Sequence, residues 1–221
     1  MEDKKKAAAL KAVEWIQDGM VLGLGTGSTT FYALEAIGKM VAKGYDLVGI
    51  PTSTSTENLA DKFGIPLTTL DEVESIDLTI DGADEVDPEK RLIKGMGGAL
   101  LREKIVASVS EVEIIVVDDS KLVDLLGTKS MLPVEVVPFG HMRVKDRIEA
   151  TGCQAHLRGE KTPYSTDSGN YIYDCRYESI ESPEELEQEL DSIPGVVENG
   201  LFLGLASKII IAGKGGIQIR D

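Results

Sequence analysis

The chain has 221 residues, 42% of them hydrophobic and 28% charged, and a formal net charge of −15. That length allows one large domain or one domain carrying a smaller one, and it buries about 70% of the unfolded surface, so neither a disulfide nor a metal is needed as a staple. The charge argues against a general nucleic-acid binder, which needs clustered cations against phosphate, and no apolar run approaches the ~18 residues of a membrane span.

Met1 to Leu10 is charged and then alanine-rich, without the apolar core or cleavage site of a secretory signal, so the expected location is cytoplasmic. Residues 3–17 read as an amphipathic helix with Ala7, Leu10, Val13 and Ile16 on one face and Gly19 as its stop. Met20 to Leu24 is a short apolar strand, Gly25 to Ser28 a turn, and 29–42 a second helix closed by Gly44. A strand over 45–51 leads to the Ser/Thr tract 52–56, a loop with a helix cap, and then to a helix over 57–63. Strands are expected at 66–70, 76–80 and 113–117, with a helix over 99–110 after a glycine-rich stretch. Such alternation predicts an α/β fold: a Rossmann-like, mostly parallel sheet with helices on both faces, where ligands gather at the carboxyl ends of the strands.

From about Ser130 the pattern changes. A strand over 133–139, a helix over 144–151, a hairpin over 154–177 around the turn 165–170, a helix over 183–190 and a strand over 195–203 follow the ferredoxin-like order. The expected organisation is therefore a catalytic domain from residues 1–128 and 204–221, with a small α+β domain, 129–203, inserted before the last sheet strand, 208–212. Gly213 to Gly216 reads as a turn between strands. Cys153 and Cys175 read as reduced thiols, since a zinc site built from them with His141 and His156 would have irregular spacing.

Three segments carry chemistry. Gly23-Leu24-Gly25-Thr26-Gly27-Ser28 fails the dinucleotide fingerprint, because Ser28 stands at the third glycine, and it lacks the lysine of a P-loop. What remains is a strand-to-helix turn with hydroxyls on Thr26, Ser28 and Thr29, at a helix N-terminus carrying about half a positive charge. That suits a single phosphate; a tight turn with Ser/Thr capping is the alternative. Asp81-Gly82-Ala83-Asp84-Glu85 directly follows a buried strand, so its carboxylates either face a ligand's hydroxyls or form an Asx-turn closed by Asp87-Pro88. A divalent ion could use the pair, but the nearby lysine competes. Lys94-Gly95-Met96-Gly97-Gly98 then opens a helix bearing Glu103. Its glycines imply close approach of backbone to something, Lys94 supplies charge where an oxyanion could form, and Glu103 is either a proton carrier at the same mouth or a solvated acid between Arg102 and Lys104. Lys121 follows the strand ending at Val117, where it could contact phosphate or serve as a surface lysine; Lys4, Lys5 and Lys6 could supply another cation, although an N-terminal lysine run usually faces solvent.

In the order G-T-G-S-T, D-G-A-D-E, K-G-x-G-G-A-L-x-R-E-K and D-x-S-K, the whole chain resembles ribose-5-phosphate isomerase, type A. The resemblance implies a phosphate-binding turn at Thr26, Gly27, Ser28 and Thr29, and sugar-contacting acids Asp81 and Asp84 flanking Gly82 and Ala83. It further implies a lysine loop at Lys94, Gly95, Met96 and Gly97, a binding lysine at Lys121, and Glu103 as catalytic base. Met96 departs from the family, which commonly has glycine there, so altered loop packing is expected. The implied reaction interconverts D-ribose 5-phosphate and D-ribulose 5-phosphate through an enediolate, with no metal or organic cofactor because there is no net redox change. Lys94 and neighbouring N–H groups would stabilise the oxyanion, while Asp81 and Asp84 would serve the hydroxyls and ring opening. The implied assembly is a homodimer or a dimer of dimers. The competing readings are a coenzyme A transferase-like enzyme and a sugar-phosphate sensor domain; the latter would need an output module.

Overall fold

The computed structural model describes residues 2–159 and 161–221. The chain divides into two compact units: the chain up to Ala83 with Arg102–Lys121 and Gly204–Asp221, and a second unit of Asp84–Leu101 with Leu122–Leu203.

The first unit holds α1 (Glu2–Val13), β1 (Val21–Leu24), α2 (Thr30–Val41), β2 (Val48–Pro51), α3 (Thr54–Phe63) and β3 (Leu78–Asp81). In the second, the chain continues through β4 (Glu85–Val86) and β5 (Leu92–Ile93). It returns to the first along α4 (Leu100–Ser108) and β6 (Glu113–Asp118). The second unit resumes with β7 (Leu132–Val136), α5 (His141–Glu149), β8 (Gln154–Leu157), β9 (Tyr171–Arg176), α6 (Pro183–Asp191), β10 (Val196–Asn199) and β11 (Leu201–Phe202). Finally β12 (Lys208–Gly213) and β13 (Gly216–Arg220) complete the first.

The first unit's sheet runs β13-β12-β6-β3-β1-β2. Its strands are parallel except β13, which folds back on β12 across the Gly213–Gly216 turn. The central strands β3 and β6 are buried along their whole length, as expected of a sheet covered on both faces. One face packs Leu22, Leu24, Leu78, Ile80, Ile114 and Val116 against α1, α2 and α3. The other packs Ile50 and Ile76 against Val106 of α4. Strand order reverses at β1, whose neighbours are β2 on one side and β3 on the other, so the crevice for a ligand lies beyond the ends of β1 and β3.

Two local expectations need correction here. The buried face of α1 is Ala8, Ala9, Ala12 and Val13, while Leu10 is 44% exposed. In an alanine-rich helix the phase is ambiguous from sequence, and close packing on the sheet selects the small side chains. Residues 66–70 do not form a strand: a single parallel bridge, Gly49↔Leu67, is followed by a 3₁₀ turn at Leu70–Glu72. Pro66 lacks the N–H that a longer ladder would need.

In the second unit β7, α5, β8, β9, α6 and β10 follow the order strand–helix–strand–strand–helix–strand, and their antiparallel sheet runs β10-β7-β9-β8. The expected strand over 195–203 is split at Gly200, where the chain leaves this sheet for a three-stranded one, β11-β5-β4. That pairing, Ile93 opposite Leu201, is why the unit incorporates Asp84–Leu101 as well as the 129–203 segment expected from sequence. The two free cysteines are buried in this unit's core, with Cys153 Sγ 3.5 Å from the Ile148 carbonyl and Cys175 Sγ 3.7 Å from that of Tyr173, and the nearness of the two thiols lowers the Cys153 pKa and raises that of Cys175.

Glu85 is the main polar joint of this unit. Fully buried, its carboxylate accepts the backbone N–H groups of Gly127 (2.7 Å), Lys129 (2.6 Å) and Ser130. A glutamine offers one acceptor oxygen and turns an NH₂ toward backbone donors. Glu85→Gln is therefore expected to destabilise the protein by roughly 2–3 kcal/mol. Thermal unfolding should show a melting temperature lower by about 5–10 °C; an unchanged value would mean that the joint contributes little.

Candidate active site

The turn 25–29 leaves β1 at the carboxyl edge of the sheet, beside the end of β3. Gly25 has no Cβ because there is no room for one: it would stand 2.2 Å from Asp81 Oδ1 and 2.6 Å from Asp81 Cα. This closeness lets the Thr26 N–H donate to Asp81 Oδ1 at 3.1 Å, and the Gly82 N–H donates to the same oxygen at 2.7 Å. Asp81 is only 1% exposed and ties the turn to the strand.

The Thr26 hydroxyl lies 2.8 Å from Thr52 Oγ1, 2.8 Å from Ser53 Oγ and 3.0 Å from Thr56 Oγ1. Thr52 donates to the Leu24 carbonyl and Thr56 to the Gly25 carbonyl, both at 3.0 Å. A hydroxyl has one proton: Thr26 donates its own to Ser53 Oγ, and Ser53 donates in turn to Thr56 Oγ1 at 3.0 Å. The side chain of Thr26 thus braces the turn from the Ser/Thr tract, while Ser53 caps α3 by accepting the Thr56 N–H.

Helix α2 begins right after the turn, and the side chain of Thr29 does not cap it. The first N–H groups of a helix have no intrahelical acceptor and suit an anion. A cavity of about 450 Å³ opens here, lined by Gly25 to Ser28 together with Ser55, Thr56 and Leu59. From α1, Lys5 Nζ donates to Ser28 Oγ at 2.7 Å. The neighbouring Lys4 makes an ion pair with Asp119 at 2.6 Å, which holds that carboxyl below its usual range. These two lysines do not simply face solvent: Lys4 is paired with Asp119, and Lys5 reaches the turn, where Glu2 of the same helix also lines the cavity. The sequence shows only a run of three lysines and does not single out Lys5.

The remaining predicted residues fall on both units. Lys121 closes the 3₁₀ turn Asp119–Lys121 after β6, and Gly82 and Ala83 follow β3, all in the first unit. Glu103 sits in the first turn of α4 and is 5% exposed. In the second unit, Asp84 Oδ2 accepts the Met96 N–H at 3.0 Å, which joins the second acid to the lysine loop. Lys94 is 2% exposed, with its N–H on the Gly200 carbonyl at 2.9 Å and its ammonium 5.2 Å from the centre of the Phe202 ring. Gly95 is buried, whereas Met96 and Gly97 are exposed.

Chemically, the first unit offers a hydroxyl-bearing turn at a helix N-terminus with a buried aspartate beside it, and a buried glutamate on α4. The second offers a buried ammonium on a loop whose Met96 N–H faces an aspartate. Among the described residues, no group of three or more His, Cys, Asp or Glu is placed to hold a metal ion. No helix of the described residues is long and apolar enough to cross a membrane.

Residues 48–216 match the family model for ribose 5-phosphate isomerase A (phosphoriboisomerase A). The ribose-5-phosphate isomerase A of Gloeobacter violaceus is 52% identical over 97% of this chain and 94% of its own length. That of Pyrococcus abyssi is 45% identical over 100% and 99%. Among solved structures, a D-ribose-5-phosphate isomerase in complex with phospho-erythronic acid superposes with a TM-score of 0.96 at 41% identity, covering 100% of this chain and 98% of that one. The ribose 5-phosphate isomerase of Plasmodium falciparum gives 0.96 at 40% identity, covering 100% and 99%.

Proposed function

The chain belongs to the ribose-5-phosphate isomerase A family, an aldose–ketose isomerase interconverting D-ribose 5-phosphate and D-ribulose 5-phosphate, and from that premise we propose how its residues divide the work. The phosphate sits on the turn Thr26–Thr29 at the start of α2, with Lys5 and Lys121 supplying positive charge. Asp81 and Asp84 accept the sugar hydroxyls and help open the ring. Glu103 carries the proton between C2 and C1, and the Lys94 ammonium with the loop N–H groups stabilises the oxyanion of the enediolate.

The observation that carries this assignment is the burial of two opposite charges, Lys94 at 2% and Glu103 at 5% exposure. Taking an ammonium and a carboxylate out of water costs several kcal/mol each after relaxation, and such groups cluster where chemistry needs them. A carbon acid as weak as an α-hydroxy aldehyde needs a fixed base, typically contributing ~10²–10⁴-fold, and preorganised charge at the developing oxyanion. The product and substrate differ only in the position of hydrogen, so the residues named can complete the reaction.

Neither the transferase nor the sensor reading is favoured by the relatives. We propose that the enzyme acts in the cytoplasm, as a homodimer or homotetramer. Isomerisation of ribose 5-phosphate in the presence of a chelator is the direct test. Full turnover is expected; tight binding without turnover would favour the sensor reading, and loss of turnover on chelation would require a metal.

A further inference from the structure

The lysine loop is held from behind by a residue far from it in sequence. Gly95 to Gly98 forms a tight turn, with the Gly98 N–H on the Gly95 carbonyl at 3.0 Å. Arg158, just past β8, places one guanidinium nitrogen, Nη1, 3.1 Å from the Gly95 carbonyl and 3.3 Å from the Met96 carbonyl. Its other nitrogens grip Asp174 of β9 as a fork, Nε at 2.9 Å and Nη2 at 2.5 Å, so the guanidinium plane is fixed. The group also lies 5.8 Å from the centre of the Tyr164 ring, and a Cβ on Gly98 would stand 2.3 Å from the Tyr164 hydroxyl. All these residues belong to the second unit.

A trans peptide points its N–H opposite to its C=O. Drawing the Gly95 carbonyl to Arg158 therefore turns the Met96 N–H the other way, and that N–H is found on Asp84 Oδ2 at 3.0 Å. The next peptide is anchored on the same nitrogen, so the Gly97 N–H is turned to the same side.

We propose that Arg158, fixed by Asp174, is a positioning residue that aims the Gly97 N–H at the reacting sugar while the Met96 N–H holds the Asp84 carboxylate in place. The proposal rests on the assignment of the lysine loop to oxyanion stabilisation. Arg158 touches no reacting atom. It sets the direction of the Gly97 N–H dipole, whose effect is felt in the transition state rather than in ground-state binding.

Steady-state kinetics of Arg158→Ala should show kcat about 10–100-fold lower with KM for ribose 5-phosphate within about threefold. Arg158→Lys should remain at least tenfold impaired, because an ammonium cannot fork Asp174 and hold the carbonyls together. Guanidinium chloride at low millimolar concentration should restore several-fold activity to Arg158→Ala and leave the unmodified enzyme unchanged. A residue that only supported folding would lower stability without such rescue. If Arg158→Ala does not fold, Arg158→Lys decides, and a folded Arg158→Lys enzyme with kcat within threefold of the original overturns the proposal. Lys94→Met separates the two readings: normal kcat there removes the loop from catalysis altogether, whereas a crippled Lys94→Met beside a normal Arg158→Lys rejects only the role of Arg158.

Discussion

Replacing Glu103 by Gln is expected to lower kcat by about 10²–10⁴-fold in both directions, with KM for ribose 5-phosphate changed by no more than about threefold. Glutamine keeps the volume and most of the hydrogen-bonding capacity of the side chain but cannot take a proton from carbon. Glu103 is 5% exposed in the first turn of α4, so its neighbours hold it in place and bulk water cannot easily substitute for it. Substrate deuterated at C2 provides the sharper readout. The variant should exchange that label with solvent as slowly as it turns over, because abstraction itself is impaired. Turnover within threefold of the unmodified enzyme would remove Glu103 from the base role and leave its burial to be explained as packing.

Gly25→Ala should damage both the site and the sheet. The added Cβ would meet Asp81 Oδ1 at 2.2 Å, Cγ at 2.3 Å and Cα at 2.6 Å. The last of these is backbone of β3, a strand held between β1 and β6, and it cannot swing aside as a side-chain end could. The turn must move instead, which breaks the Thr26 N–H bond to Asp81 and pulls the Thr26 hydroxyl away from Thr52, Ser53 and Thr56. Overpacking of this kind costs roughly 1–3 kcal/mol, so chemical denaturation should show a loss of about that size. KM should rise at least tenfold, which corresponds to about 1.4 kcal/mol of lost binding. Gly215→Ala is the matched control, since nothing lies within 4 Å of its added Cβ. A Gly25→Ala enzyme with unaltered KM would show that the turn does not hold the phosphate.

The two variants probe different links of one mechanism. On the proposed assignment, the glutamate acts on the chemical step, and the glycine acts on the geometry that brings the phosphorylated sugar to it. A phosphate anchored on backbone N–H groups supplies binding that stays the same in ground and transition states. Its value lies in orientation, which is why the turn is braced by an aspartate and a cluster of hydroxyls rather than left as a mobile loop.

Much of this could be read from the amino-acid order, because the signals are local. Apolar runs such as Ile76 to Ile80 and Ile114 to Val117 mark buried parallel strands, and the glycine-rich turn after β1, the acids after β3 and the lysine loop before α4 each stand beside the element that positions them. Strand, turn and helix cap are decided over a few residues, so the strands of the first unit and the turns that follow β1 and β3 were legible. Tertiary structure alone decided the rest. Leu10 turned outward because sheet packing chose the alanine face of α1. Residues 84–101 joined the second unit because β5 pairs with β11, more than a hundred positions away. Lys5 reached Ser28, and Arg158 reached the carbonyls of Gly95 and Met96, across sequence separations of 23 and about 60 residues. Such contacts depend on which distant backbones come to lie side by side, and neither composition nor periodicity within a segment carries that information.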